Sequence, residues 1–182
     1  MRCGLIVSFA QNPHHINSLE ENKIRKFILG SFVSIAMTIA AGALAQSSTP
    51  YSTPIGTDAA KKIASAAIAE CKKNNWFMAV AVTDNNGDQV HFEKMDNTQI
   101  GSINVSIGKA KSAALFRRPT NAFQDVLAAG GEGLRILALQ GAIVDGGLPI
   151  IVDGKIIGAV GCSGGSSVQD GQACKAGIDG LK

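Results

Sequence analysis

The chain has 182 residues, 46% of them hydrophobic, with 17 basic and 14 acidic side chains and a formal net charge of +3. A chain of this length buries one core without help from metals or cross-links. Part of the positive charge lies at the N-terminus: setting aside residues 1–45 removes Arg2, Lys23, Arg25 and Lys26 with Glu20 and Glu21, leaving 13 basic against 12 acidic residues. So balanced a remainder argues for neither nucleic acid nor an anionic surface as partner.

Lys23, Arg25 and Lys26 precede an apolar run from Phe27 to Ala45, diluted by Gly30, Ser31, Ser34, Thr38 and Gly42 and ending in Ala43-Leu44-Ala45. That layout predicts a signal peptide cleaved after Ala45, with an uncleaved anchor as the alternative, and hence a periplasmic or secreted protein free of the membrane after cleavage. The polar stretch Met1–Asn22 upstream of it is unusual for a signal and receives no function. Residues 46–56, with two prolines and many hydroxyls, read as an exposed linker, and the domain is expected over 57–182.

Thr57 or Asp58 is expected to cap a helix whose apolar positions Ala60, Ile63, Ala64, Ala67, Ile68 and Cys71 recur at three- and four-residue spacing up to Asn74-Asn75. Phe77–Thr83 and Gln89–Met95 read as strands joined by turn chemistry at Asp84–Asp88, a hairpin. A second helix is predicted from Ser102 to Phe116, with Ile103, Ile107, Ala110 and Ala114 inward and Pro119 ending it. Thr120 is expected to cap a short helix closed by Gly130-Gly131. Asp153-Gly154 marks a tight hairpin between Leu148–Val152 and Lys155–Gly161, and the Ser167/Asp170 spacing predicts a capping box on a last helix to Leu181. This order predicts an α+β, sandwich-like fold: an antiparallel sheet built from two hairpins, with helices packed on it.

Gly161-Cys162-Ser163-Gly164-Gly165 matches G-x-S-x-G, the pattern of a hydrolase nucleophile elbow. The only histidine after the leader is His91, upstream of the serine, which is the wrong order for that fold, so a serine hydrolase is disfavoured. Two readings of the loop stay open: an anion site made of backbone N–H groups at a helix start, or a tight strand-to-helix turn with Asp170 as a cap. His91 and Met95 share a strand face roughly 13 Å apart, too far to ligate one metal together, and a lone strand histidine is more often structural than a ligand. Cys71, Cys162 and Cys174 form no C-x-x-C pair, which argues against structural zinc. Cys71 and Cys174 fall on apolar helix stripes facing the same sheet and are the expected disulfide, with Cys162 left free as a small hydrophobe. Arg117 and Arg118 read as cations at a helix C-terminus, whereas Lys109 and Lys111 sit among small residues that would admit a ligand or another chain.

Several segments together resemble the GlcG/HbpS-like haem-binding proteins, which include the C-terminal domain of PduO-type proteins. The matching pieces are Ala81–Asp84 with Gly87, Phe92–Asp96, Ile107–Ala113, Gly146–Pro149, and Gly154 through Gly161–Gly165 to Asp170, in the family's order. The resemblance implies an α/β sheet domain that forms homo-oligomers, is often exported and binds haem in some members, an enzymatic role not being established across the family. The family's conspicuous polar positions fall on Lys94, Asp96, Lys109, Ser112, Ser163, Gly164 and Asp170, and lysine stands at 94 where arginine is expected. A haem site is therefore expected where the second helix, the end of the second strand and the loop from Gly161 to Gly165 converge, with Lys109 or Lys111 meeting the propionates and His91, Met95, Met78 or Tyr51 as possible axial ligands. The competing reading is an accessory protein or minor enzyme acting on a small hydroxy acid or aldehyde.

Overall fold

The computed structural model describes residues 49–182, so the leader and its predicted cleavage point lie outside the described residues. In chain order it contains α1 (Thr57–Lys73), β1 (Ala79–Asp84), β2 (Gln89–Lys94), α2 (Ser102–Phe116), α3 (Asn121–Ala128), a 3-10 segment (Gly131–Ala138), β3 (Gly147–Val152), β4 (Lys155–Ser163) and α4 (Ser167–Asp179). The strands form one antiparallel sheet in the order β2-β1-β4-β3, so the two predicted hairpins are joined by β1 pairing with β4. Helices on this sheet make the expected α+β architecture.

The two sheet faces differ in side-chain size, and that difference sets how closely each helix packs. Val80, Val82, Ile150, Val160 and Cys162 point to one face, where they meet Ile63, Ala64, Ala67 and Ile68 of α1 and Ala173 and Cys174 of α4. Each of the larger side chains sealed there contributes about 1.5–3 kcal/mol. The alternate positions Ala79, Ala81, Ala159 and Gly161 are small, and α2 lies on them. A Cβ at Gly161 would overlap the Ser106 carbonyl and sit 2.5 Å from the Ala110 amide nitrogen, so only glycine admits the helix at this depth. This explains a correction to the predicted buried face of α2. Ile103 and Ile107 are only half-buried, while Ser106, Lys109, Ala110, Ser112, Ala113 and Ala114 are sealed, because a small-residue sheet selects small helix residues.

Local signals were partly displaced. Asp153 (φ 49°) and Gly154 (φ 70°) form the expected tight turn of β3–β4. The capping box of α4 is one residue earlier than predicted: Ser166 Oγ accepts from the Gln169 N–H while Gln169 Oε1 accepts from the Ser166 N–H. Asp170 is thereby released for another task. Neither Thr57 nor Asp58 caps α1, whose N-cap is Gly56. Thr120 gives α3 no side-chain cap; its Oγ1 instead accepts from the Gly147 N–H at 2.9 Å, tying α3 to the start of β3.

The predicted linker, where described, is mostly exposed as expected, but it is tied to the sheet rather than loose. Pro50–Ile55 runs beside the start of β4: the Ile156 N–H donates to Pro50 O, and the Ser52 and Ile55 N–H groups donate to Ile156 O and Ile157 O. Tyr51 Oη donates to the Ala114 carbonyl at 2.8 Å, and the Arg117 guanidinium lies 5.6 Å from the Tyr51 ring centre. The strap satisfies the end of α2, whose last carbonyls lack helical partners.

Candidate functional site

The conspicuous polar residues divide between an internal network and a surface trough. Within the fold, Lys109 of α2 reaches Asp170 of α4, with Nζ 2.6 Å from Oδ2 and donating to the Cys162 carbonyl at 3.1 Å. The two side chains are only 2% and 4% exposed. Helices α2 and α4 lie on opposite sheet faces, so this pair bonds the two helical layers past the start of β3. Gly146 (φ 113°) makes the passage: a Cβ there would lie 2.6 Å from Asp170 Cβ and 2.7 Å from Lys109 Nζ. Asp170 Oδ1 also accepts from the Gly165 N–H at 3.0 Å, and the Gly164 amide donates to the same carboxylate. Burial pushes the Asp170 carboxyl above its ordinary value, while Lys109 and these amides pull it back.

The Gly161–Gly165 turn thus gives its key amides to Asp170, and Gly161 belongs to the β4 ladder. Of the two readings of this loop, the tight turn is the one formed, with Asp170 as its internal anion. Lys109 is correspondingly withdrawn from the expected propionate role, since its ammonium is buried and already paired. Ser163 Oγ donates to Ser102 Oγ at 3.2 Å, inside the protein. Ser112 Oγ is buried without a partner, and a Cβ on Gly141 would overlap it. Lys111 is exposed, its stem over Gly87 at the β1–β2 turn, the end of the sheet opposite Lys94.

The surface trough lies at the other end of the strands, where α1 ends and β2 leaves the sheet. A groove of about 300 Å³ is lined by Ile68, Lys72, Phe77, Glu93, Lys94, Met95 and Asp96. A second, of about 260 Å³, runs between Asn75–Phe77, Asn97, Gln99, Gly164, Gly165 and Gln169. Phe77, 49% exposed, is the wall common to both. Asn75 (φ 57°) and Asn97 (φ 63°) make the left-handed turns that frame it, a conformation asparagine tolerates better than most residues. The Met95 N–H donates to Met78 O and Thr98 Oγ1 to Met95 O, which fixes the loop leaving β2. Lys72 and Lys94 are exposed and in no ion pair among the described residues. Of the predicted ligand residues, the trough gathers Lys94, Asp96, Gly164 and Gly165. Sequence reasoning missed Lys72 and Phe77, though the apolar pair Trp76-Phe77 directly after the helix-ending Asn74-Asn75 was a signal. His91 is half-buried on the β2 face of Glu93 and Met95 and does not line the trough, and no cluster of three or more metal-ligating side chains occurs among the described residues.

The expected Cys71–Cys174 pairing is corrected. Among the described residues Cys71, Cys162 and Cys174 are buried and free, and the sulfur facing Cys174 is that of Cys162, 2.7 Å away. The last helix presents Cys174 to β4, so Cys162, an inward-facing strand residue, stands between the sheet and α4.

Comparison with known proteins agrees with this architecture. A family profile described as "Haem degrading protein HbpS-like" matches residues 55–179. An uncharacterized 15.0 kDa protein of Citrobacter freundii is 35% identical over 124 residues, covering 66% of this chain and 87% of that protein. Protein GlcG of Escherichia coli K12 is 38% identical over 107 residues, covering 57% and 79%. Among solved structures, Klebsiella pneumoniae ORFY superposes with a TM-score of 0.67 at 28% identity, covering 74% of this chain and 94% of that one. A double mutant of Streptomyces reticuli HbpS gives 0.63 at 25% identity, covering 75% and 93%. A PduOC:heme complex gives 0.64 at 22% identity, covering 70% and 95%, which speaks to the fold alone. The profile match spans the whole of the sheet and its helices, from the end of the strap to the last turn of α4, and on that ground the chain belongs to the HbpS-like family.

Proposed function

We propose that this protein binds haem, or a similarly planar anionic molecule, in the trough around Phe77. The observation that carries the reading is one exposed aromatic ring shared by two grooves, with two ammonium groups on its rim that have no ion-pair partner among the described residues, Lys72 and Lys94, the latter donating only to the Met95 carbonyl at 3.4 Å. Ligand sites are typically apolar concavities of about 300–1,000 Å³ with a few placed polar groups, and the two grooves together fall in that range. Ile68, Phe77 and Met95 offer an apolar wall to a planar ring, and the lysines offer charge to its carboxylates. Met95 also brings a thioether to the wall, a soft ligand that iron accepts in some haem proteins. The haem named in the family's description supports the same choice of ligand.

The reading includes export and self-assembly. The basic cluster and apolar run before Ala45 support export with cleavage there, which leaves the Pro50–Ile55 strap intact on the released protein. Val126 (44% exposed), Leu134 (51%) and Leu137 (61%) on α3 and the 3-10 segment give an apolar surface suited to a second copy of the chain. Titration of the purified protein with ferric haem, followed at the Soret band, tests the binding: a saturable change at micromolar concentration supports it, and a linear, unsaturable response overturns it.

A further inference from the structure

We propose that Cys162 and Cys174 are a disulfide-forming pair, closed as the chain folds in an oxidising medium, with Cys71 remaining a free thiol. Cys162 sits on β4 and Cys174 on α4, twelve residues apart, with their sulfur atoms 2.7 Å from each other. A disulfide brings two sulfurs to about 2.05 Å, so small side-chain rotations suffice to form the bond. The Cys162 N–H donates to Gly146 O at 2.8 Å, and the Cys174 thiol lies 3.1 Å from the same carbonyl oxygen, so one backbone group already holds both residues in register.

Cys71, Cys162 and Cys174 are each 0% exposed, and burial with the adjacent Cys174 holds the Cys162 thiol well above its usual range. A small reagent therefore meets these thiols before the core closes. The oxidant is a small-molecule disulfide, RSSR. The thiolate of one cysteine attacks it, forming a mixed disulfide and releasing RS⁻; the second thiolate then displaces the remaining RS⁻. In sum, two protein thiols and one RSSR give the protein disulfide and two RSH, with both electrons and both hydrogens passing to the small thiols. The closed loop from 162 to 174 contains Ser163–Gly165 and Asp170, so the bond pins the turn that lines the second groove and carries the Lys109 ion pair.

The test unfolds the full chain in denaturant with reductant, refolds it in mixed oxidised and reduced glutathione, and alkylates remaining thiols under denaturing conditions. Trypsin alone leaves Cys162 and Cys174 on one peptide, Ile156–Lys175, so a second protease that cuts before aspartate is added to split it at Asp170. The expected result is the two fragments linked and lacking two hydrogens, with Cys71 and the N-terminal Cys3 alkylated. Cys71→Ala should keep the link in full yield. Alkylation of all four cysteines, or a link from Cys174 to Cys71 or Cys3, overturns the proposal, and the wild-type map decides it even where a variant folds poorly.

Discussion

Replacing Lys109 by methionine removes the ammonium from Asp170 while keeping most of the side-chain volume. Both partners are almost fully sealed from water, and Nζ makes two hydrogen bonds, to Asp170 Oδ2 at 2.6 Å and to Cys162 O at 3.1 Å. Removing one partner of a buried pair leaves an uncompensated carboxylate and costs about 3–5 kcal/mol. The Gly164 and Gly165 amides still serve Asp170, which places the expected loss toward the lower end, about 3 kcal/mol. For a domain of this size each 1 kcal/mol lowers Tm by about 3–4 °C, so a drop of about 10 °C is expected. Urea unfolding with and without Asp170→Asn gives the coupling between the two residues. A Lys109→Met loss under 1 kcal/mol would refute the buried-pair account, and so would losses that simply add in the double variant, since contacting residues couple.

Gly146→Ala should cost about 2 kcal/mol or more by chemical denaturation, because φ is 113° and a Cβ would press on Asp170 Cβ, Lys109 Nζ and the Cys162 carbonyl at 2.6–2.9 Å; wild-type stability in that variant contradicts the passage described. Burial pushes the Cys71 thiol from 9.0 up to about 12. The folded chain keeps that proton longer than the unfolded chain does, so the stability it contributes is complete below about pH 9 and is lost as pH rises toward 12. In reductant, Cys71→Ala should lessen the alkaline decline by about 1.4 kcal/mol per pH unit across that window, and an unchanged slope sinks the argument.

The sequence was most informative where a pattern has a local cause. Asp153-Gly154 specified its turn, and the three- and four-residue apolar spacing of α1 named the six residues that are buried. It misled where the cause lay in a distant segment. The strap at Pro50–Ile55 looks like a linker because its partners, Ile156, Ile157 and Ala114, are about a hundred or sixty residues away. Lys109 among small residues read as an opening for a ligand, yet those small residues exist so that α2 can lie on Gly161 and Ala159. The trough was half-legible: Lys94 and Asp96 were singled out, while Lys72 and Phe77 enter it only because α1 ends beside the exit of β2.

Haem held at Phe77 between Lys72 and Lys94, as proposed, is tested by ferric haem titration at the Soret band with wild type, Lys72→Glu/Lys94→Glu and Lys109→Met in parallel. Exposed charge contacts are worth up to about 1 kcal/mol each, and reversing both charges replaces attraction by repulsion. Saturable wild-type binding is expected, weakened roughly tenfold or more in the double reversal, one decade being about 1.4 kcal/mol, with folded Lys109→Met unchanged within about twofold. Undiminished binding by the double reversal, or loss of binding in folded Lys109→Met, would contradict the proposal.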